Sequence, residues 1–532
     1  MNTHTPSHRT ALGYAAEQGD VDQVKKLLSD PENDVNELDD ESKAPLHLAA
    51  EKGHAEVVKL LLAEPLINVN AIDKIGHTPL YLATAKRHAD VVKLLVSVPG
   101  IDVNNDSSLY NAVYKGDIDI VKLLLTVPGV DVNEGAPLAE AAKNEHIDIV
   151  KLLLSVPGVD VNKRDDIDMT PLAWAVSNGR IDIVKLLLSV PGIKVNKSDD
   201  IGRTPLFSAV SYGHIDIVKL LLNVPGIKVN KRDDHDMTPL SEAADHGYID
   251  IVKLLLTAPR IDVNKGDPLA HAASRGHKDI VKLLLTVPGV DVNKGYYLCT
   301  EFITFNCPPL AEAAFKGRID IVKLLLTASR IDVNKEAPLA HAAGRGHIDI
   351  VKLLLSVPGV DVNKDAPLAV AAMNGHIDIV KLLLTVPGID VNKRNPLKLT
   401  VEEDQARCFR MLLSNRLINV NKYDWLGNTA LSVAEEKDKY GQYAELLRKH
   451  PNYRFSVLAA VLRYTIAPVW RLVSSDAFWK RLYFLWNVVV ILMIVIYLAC
   501  VIFLPIPLSA SVVFLCLVMV IVLVLKIYTL RE

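Results

Sequence analysis

The sequence predicts an all-α repeat solenoid of helix-turn-helix units carrying short β-hairpin fingers, several of them truncated. A two-helix transmembrane hairpin is predicted to follow at its C-terminus. Three observations carry this prediction. A 27-residue core recurs along most of the 532-residue chain. Its copies are joined mostly by linkers of seven or of two residues. After Pro451 the repeat stops, and two uncharged apolar stretches follow. The domains read from this pattern are an array of about 14 units over 1–450, a basic amphipathic juxtamembrane segment over 451–481, and paired spans within 482–528.

The core is seen most plainly where Thr170 opens TPLAWAVSNGRIDIVKLLLSVPGIKVN and Thr204 opens TPLFSAVSYGHIDIVKLLLNVPGIKVN. Equivalent cores begin at Thr10, Ala44, Thr78, Ser107, Ala136, Thr238, Asp267, Pro308, Ala337, Ala366 and Asn395, and a degraded copy starts at Thr429. In TPL, the Thr hydroxyl is placed to cap free N–H groups, and Pro follows at the first helical position, where its missing donor costs nothing. Leu and Ala then recur at helical spacing. Gly at the tenth position, as in Gly179 and Gly213, permits the turn into a second helix. That helix is too apolar to stand alone, and Pro-Gly after it ends it. A single copy cannot bury its apolar face, whereas a stack can. These units resemble the ankyrin repeat. The resemblance covers about 440 residues and implies a stack whose groove, formed by first-helix ends and finger tips, grips one or more folded partner proteins.

Linker length divides the array. Seven-residue linkers (37–43, 71–77, 163–169, 197–203, 231–237 and 422–428) leave room for projecting fingers. Two-residue linkers (105–106, 134–135, 265–266, 335–336, 364–365 and 393–394) close only a tight turn. One junction, KGYYLCTEFITFNC from Lys294 to Cys307, has fourteen residues rich in β-branched and aromatic side chains, and predicts an extended hairpin. It is either a recognition feature or a decorative insertion. Cys299 and Cys307 within it are candidates for pairing only under oxidation.

The second helices read IDIVKLLL again and again, a surface poorly suited to telling partners apart. Variation gathers just before the inter-helix Gly. In the ankyrin family these positions look onto the groove, so the resemblance makes partner-binding candidates of Lys52, Tyr114, Lys115, Asn178, Tyr212, His246, Arg275, Phe315, Lys316, Arg345 and Asn374. Tyr114, Tyr212 and Phe315 are the expected anchors, because exposed aromatics within a polar rim often dominate binding. Drift along a solvated edge is the alternative.

The tail reads as membrane. Residues 484–504 carry no charge, and 508–527 carry only Lys526; both approach the ~20 residues that cross a ~30 Å hydrocarbon core. The Leu, Ile, Val and Phe of the first stretch give an upper bound of roughly −5 to −9 kcal/mol for insertion, which outweighs Asn487. Lys480, Arg481 and Lys526 flank the same end of the pair, which the positive-inside rule places in a cytoplasm, that of the producing cell or of a host. Trp479, Trp486 and Tyr528 suit the interfacial belt, and Arg463 and Arg471 suit a segment lying on the surface. The lipid bilayer is thus an expected partner.

Net charge is −3, made of +5 over 451–532 and −8 over the rest, which does not suggest nucleic-acid binding. Five scattered cysteines fit a reducing compartment. No GxxxxGK[ST], GxSxG, HExxH or zinc spacing occurs. No catalysis, cofactor, metal or small-molecule substrate is expected. The leading expectation is a membrane-anchored scaffold. Near-identical copies ahead of an apolar hairpin are similar in style to ankyrin proteins of intracellular bacteria, which implies an effector acting on host proteins. An oligomeric channel with an ankyrin cytoplasmic domain is the alternative.

Overall fold

A computed structural model describes residues 10–299, 304–424, 426–436 and 441–453. The predicted spans, the juxtamembrane segment beyond Tyr453 and every predicted membrane-interface residue, from Arg463 to Tyr528, lie outside the described residues. Among the described residues, no helix is long and apolar enough to cross a membrane.

Twenty-eight helices form among the described residues, in pairs. Each predicted core folds as one pair; the core opening at Thr204 gives Pro205–Ser211 and Ile215–Leu222. The chain divides into two compact units, residues 1–365 and 366–532. Within the first unit, first helices stack on first helices and second helices on second helices. The second unit stacks its own repeats in the same way, with Pro367–Met373, Pro396–Glu402 and Ala430–Glu436 in one row.

The core lies between the rows. Leu206, Ala209 and Val210 of one first helix, and Ile217, Val218 and Leu221 of the second, are at most 1% exposed. Burying each of the large ones stabilises by about 1.5–3 kcal/mol relative to exposure. The outer side of the second helix is polar: Lys219 pairs with Asp216 at 3.0 Å, with both side chains more than half exposed. Exposed pairs of this kind contribute little to stability. They keep the repeated helix soluble on the one side that nothing covers.

Linker length decides how the chain enters the next helix. After a seven-residue linker the N-cap Thr is extended, and its hydroxyl accepts from the N–H three residues on, as Thr170 does from Ala173 at 3.1 Å. After a two-residue linker the cap residue is left-handed instead: Ala136 at φ 55°, Asp267 at 54°, Ala337 at 45° and Ala366 at 56°. None of these four makes a side-chain cap bond. The shorter link must turn more sharply per residue, so it uses backbone conformation where the longer one uses a hydroxyl.

The predicted β-hairpin fingers require correction. The seven-residue linkers form turns built on an aspartate, with one isolated bridge, Tyr423 to Thr429, and no strands. The Asp73 carboxylate accepts from the N–H of Ile75 at 2.9 Å and of His77 at 2.8 Å. Asp39, Asp165, Asp199, Asp233 and Asp424 hold the same two positions of their own linkers. With two N–H groups taken by the carboxylate, the remaining backbone bonds, such as Asp73 N–H to His77 at 2.9 Å and Lys74 N–H to Glu41 of the preceding linker at 3.0 Å, tighten the turn and tie neighbouring linkers without building strands.

The fourteen-residue junction does form a hairpin. Strands β1 (Tyr296–Cys299) and β2 (Thr304–Cys307) pair antiparallel. Their register sets Tyr296 against Cys307 and Cys299 against Thr304. The two cysteines therefore sit at opposite ends of the ladder and are not cross-strand partners.

Candidate functional site

Two sets of bonds fix neighbouring repeats to each other and so position the surface between them. The first is an asparagine ladder. The Asn162 amide donates to the Gly192 carbonyl at 3.0 Å, and its oxygen accepts from Lys194 N–H at 2.7 Å. The same two-bond clamp recurs at Asn36, Asn70, Asn104, Asn133, Asn230, Asn264, Asn293 and Asn334 within the first unit. Asn392 does the same within the second. The second set is formed by histidines at the inter-helix turn. His54 Nε2 meets the Glu17 carbonyl at 2.9 Å, and His277 Nε2 meets that of Asp245 at 2.9 Å. Each ring lies against the preceding repeat's turn, where space is tight. A Cβ on Gly53 would come within 2.5 Å of His88 Nδ1, in a backbone already at φ 79°.

On this frame the candidate positions separate into two kinds. Tyr114 and Tyr212 stand out from the surface, 53% and 59% exposed. Lys115 lies over the Tyr114 ring at 5.8 Å, and Tyr212 stacks near His214 at 6.1 Å. The others are committed partly to neighbouring repeats. Lys52 pairs with Glu17 at 3.5 Å. The Asn178 amide donates to the Lys143 carbonyl at 3.0 Å. Arg275 Nε donates to Asp245 at 2.9 Å. Phe315, expected as an anchor, is half-buried: the Arg345 guanidinium lies 4.1 Å from its ring centre, Lys316 lies at 5.4 Å, and His341 packs edge-on. His246 and Asn374 bond back to their own helices, at Glu242 and Val370. All of these except Phe315 remain exposed at the surface.

The structure adds residues that the sequence did not single out. Tyr14 is 59% exposed in the first repeat. Tyr110 donates to Glu140 at 3.1 Å, and burial followed by that carboxylate pushes its phenol up to about 12. Lys143 lies over the Trp174 ring at 4.9 Å, while Trp174 Nε1 donates to Asp165 at 2.6 Å. Fingertip isoleucines are unusually bare, with Ile75 at 77% and Ile167 at 60%. Their signal was present as an apolar residue at the fifth position of four of the six long linkers, Ile75, Ile167, Ile201 and Leu426.

Around β1 a tighter cluster forms. Tyr296 stacks on His271 at 4.4 Å. His271 Nδ1 and Arg275 Nε both meet Asp245 Oδ1, at 3.3 and 2.9 Å. Burial opposes ionisation of Asp245, but these two bonds outweigh it and hold the carboxyl at about 2. Among the described residues no group of His, Cys, Asp and Glu is arranged to hold a metal ion. What the surface offers is aromatic faces, amides and fixed charges, the equipment of recognition.

A family model described as ankyrin repeats (3 copies) matches residues 12–107, 109–199, 193–267, 260–337, 310–395 and 368–455. No curated protein matches the chain. Among solved structures, the crystal structure of the human ASB11 ankyrin repeat domain is similar at 27% identity, over 37% of this chain and 90% of that one, with a TM-score of 0.33.

Proposed function

Because this chain belongs to the ankyrin-repeat family, a family of protein-interaction modules, we propose that it is a membrane-anchored scaffold binding folded proteins through its first-helix face. One contrast carries the reading. Repeat after repeat buries the same residues, while Tyr114 and Tyr212, at the variable turn, stand uncovered. A residue that leaves more than half of a large aromatic side chain uncovered is available to a partner. The membrane half of the proposal is supported by the two apolar stretches, 484–504 and 508–527, and their basic flanks. On this reading the array faces a cytoplasm.

Proximity labelling in cells tests both halves. The full chain, a chain ending at His450, and the full chain with Tyr114→Ala and Tyr212→Ala are compared. Membrane neighbours are expected to vanish on truncation, and array partners to be lost at least severalfold with the tyrosine pair. An identical diffuse background from all three would sink the scaffold reading.

A further inference from the structure

The fourteen-residue insertion does more than lengthen a linker: it walls a cavity. The cavity is about 470 Å³ and is lined by Met237, Asp245, His271, Ser274, Arg275, Tyr296, Lys316 and Arg318. Three successive repeats and the hairpin converge on it. Its floor is fixed. Asp245 is held by His271 and Arg275, and Ser274 Oγ donates to Glu312 at 2.8 Å. The Tyr296 ring is clamped flat on His271, at an interplanar angle of 15°.

The charges do not balance. Arg275, Lys316 and Arg318 are cationic, and Asp245 is the one carboxylate in the lining. That carboxylate is already engaged by Arg275 and His271. Among the described residues, neither Lys316 nor Arg318 has an ion-pair partner. Lys316 lies over the Phe315 ring, and Arg318 lies along Gly276. Two uncommitted cations beside an aromatic wall, in a partly enclosed space, attract an anionic group more strongly than an open surface does.

We propose that this cavity receives an anionic side chain of a partner polypeptide, with Lys316 and Arg318 pairing its charge and Tyr296 packing against its stem. The inference rests on the scaffold reading above and names the chemistry of one contact within it. The volume suits one side chain with its flanking backbone. The location, at the variable turns of the first-helix row, suits a segment already held by the array. The hairpin is then the specificity element, since among the described residues no other linker forms paired strands.

The test uses the full chain, purified in detergent, against immobilised degenerate peptide pools with Glu, phosphoserine, Gln or Lys fixed at the centre. The wild type is expected to retain the Glu or the phosphoserine pool about tenfold over the neutral and basic pools, and whichever is retained identifies the anion. Raising salt should erode that preference. Lys316→Glu should abolish it. So should deleting residues 295–306, which leaves Lys294-Cys307 as a two-residue link of the kind found elsewhere in the array. Unchanged helicity by circular dichroism checks that each variant folds, and Lys316→Glu stands alone if the deletion does not. Equal retention of the Gln and Glu pools, or retention unaffected by Lys316→Glu, overturns the proposal. Labelling in cells that depends on Tyr114 and Tyr212 but not on Lys316 would also overturn it, while leaving the scaffold reading intact.

Discussion

His47 shows how one side chain can substitute for a missing cap. Its repeat opens with Ala44, which has no hydroxyl, and the His47 ring takes over: Nδ1 accepts from Ala44 N–H at 3.0 Å. Nε2 therefore carries the proton and faces the Ala71 carbonyl at 2.9 Å. A second proton on Nδ1 would destroy the cap, and burial lowers the pKa below its ordinary 6.5. The sign follows by linkage. Above about pH 6.5 the ring is neutral whether folded or unfolded, and its contribution is fully present. As pH falls below 6.5 the unfolded chain takes up a proton that the folded one resists, and stability is lost. Protection of the amides of the helix Pro45–Lys52, taken as exchange relative to the intrinsic rate at each pH, should fall between pH 7 and pH 5 in the wild type. His47→Gln should show lower protection at pH 7 but a flatter dependence of protection on pH. Parallel slopes for the two proteins would show that His47 is not the titrating group.

The linkers are where one element differs from another. Every two-residue link except 105–106 uses two consecutive left-handed residues, and the array supplies them unevenly: Gly266 with Asp267 at one junction, Glu336 with Ala337 at another. A side chain in that region costs about 1–2 kcal/mol. Glu336→Gly, set against the added freedom of the unfolded chain, should stabilise by about 0.5–1 kcal/mol. Gly266→Ala should destabilise by more than about 1 kcal/mol, because its Cβ would also sit 2.9 Å from Thr238 N. Urea unfolding of the two variants should move in opposite directions; movement in the same direction would show that backbone strain does not control these links. The need for tight turns was legible in the two-residue spacing. The Asp-centred turns were not, because a lone Asp in a polar linker reads the same whether its carboxylate faces solvent or its own backbone. Helix boundaries were legible down to the cap, since Thr-Pro-Leu and Pro-Gly mark both ends chemically. At the candidate surface, exposure was legible for Tyr114 and Tyr212, whose ring contacts, Lys115 and His214, are near in sequence. It was not for Phe315, which Arg345 of the next repeat covers; Arg275 stays exposed, but its tie to Asp245, 30 residues away on another repeat, was not legible.

At the scale of the molecule, stability is close to a sum of repeat terms and neighbour terms. The asparagine ladder and the histidine contacts are those neighbour terms in polar form. They escaped the sequence reading in part because DVN looks like a linker, whereas each Asn bonds a repeat further along. Since Ile, Val and Leu fill the same three second-helix positions from the repeat of Ser107 to that of Ala366, the repeat of Thr170 and the repeat of Thr238 present nearly interchangeable surfaces. Deleting residues 204–237, one whole repeat with its linker, should leave a folded array that unfolds cooperatively. Deleting residues 204–220, half a repeat, should not. Comparable helicity and melting from the two deletions would show that the stacking surfaces are not interchangeable.

That interchangeability reaches beyond the single molecule to its descent. Near-identical repeats imply near-identical stretches of coding sequence, and such stretches misalign when DNA is copied or recombined. In most proteins the resulting duplications and losses are ruinous. Here a slip of one whole period returns a chain whose every seam still fits, with one surface tyrosine or one fingertip more or fewer. The array can gain or shed recognition features in single inherited steps without rebuilding its core.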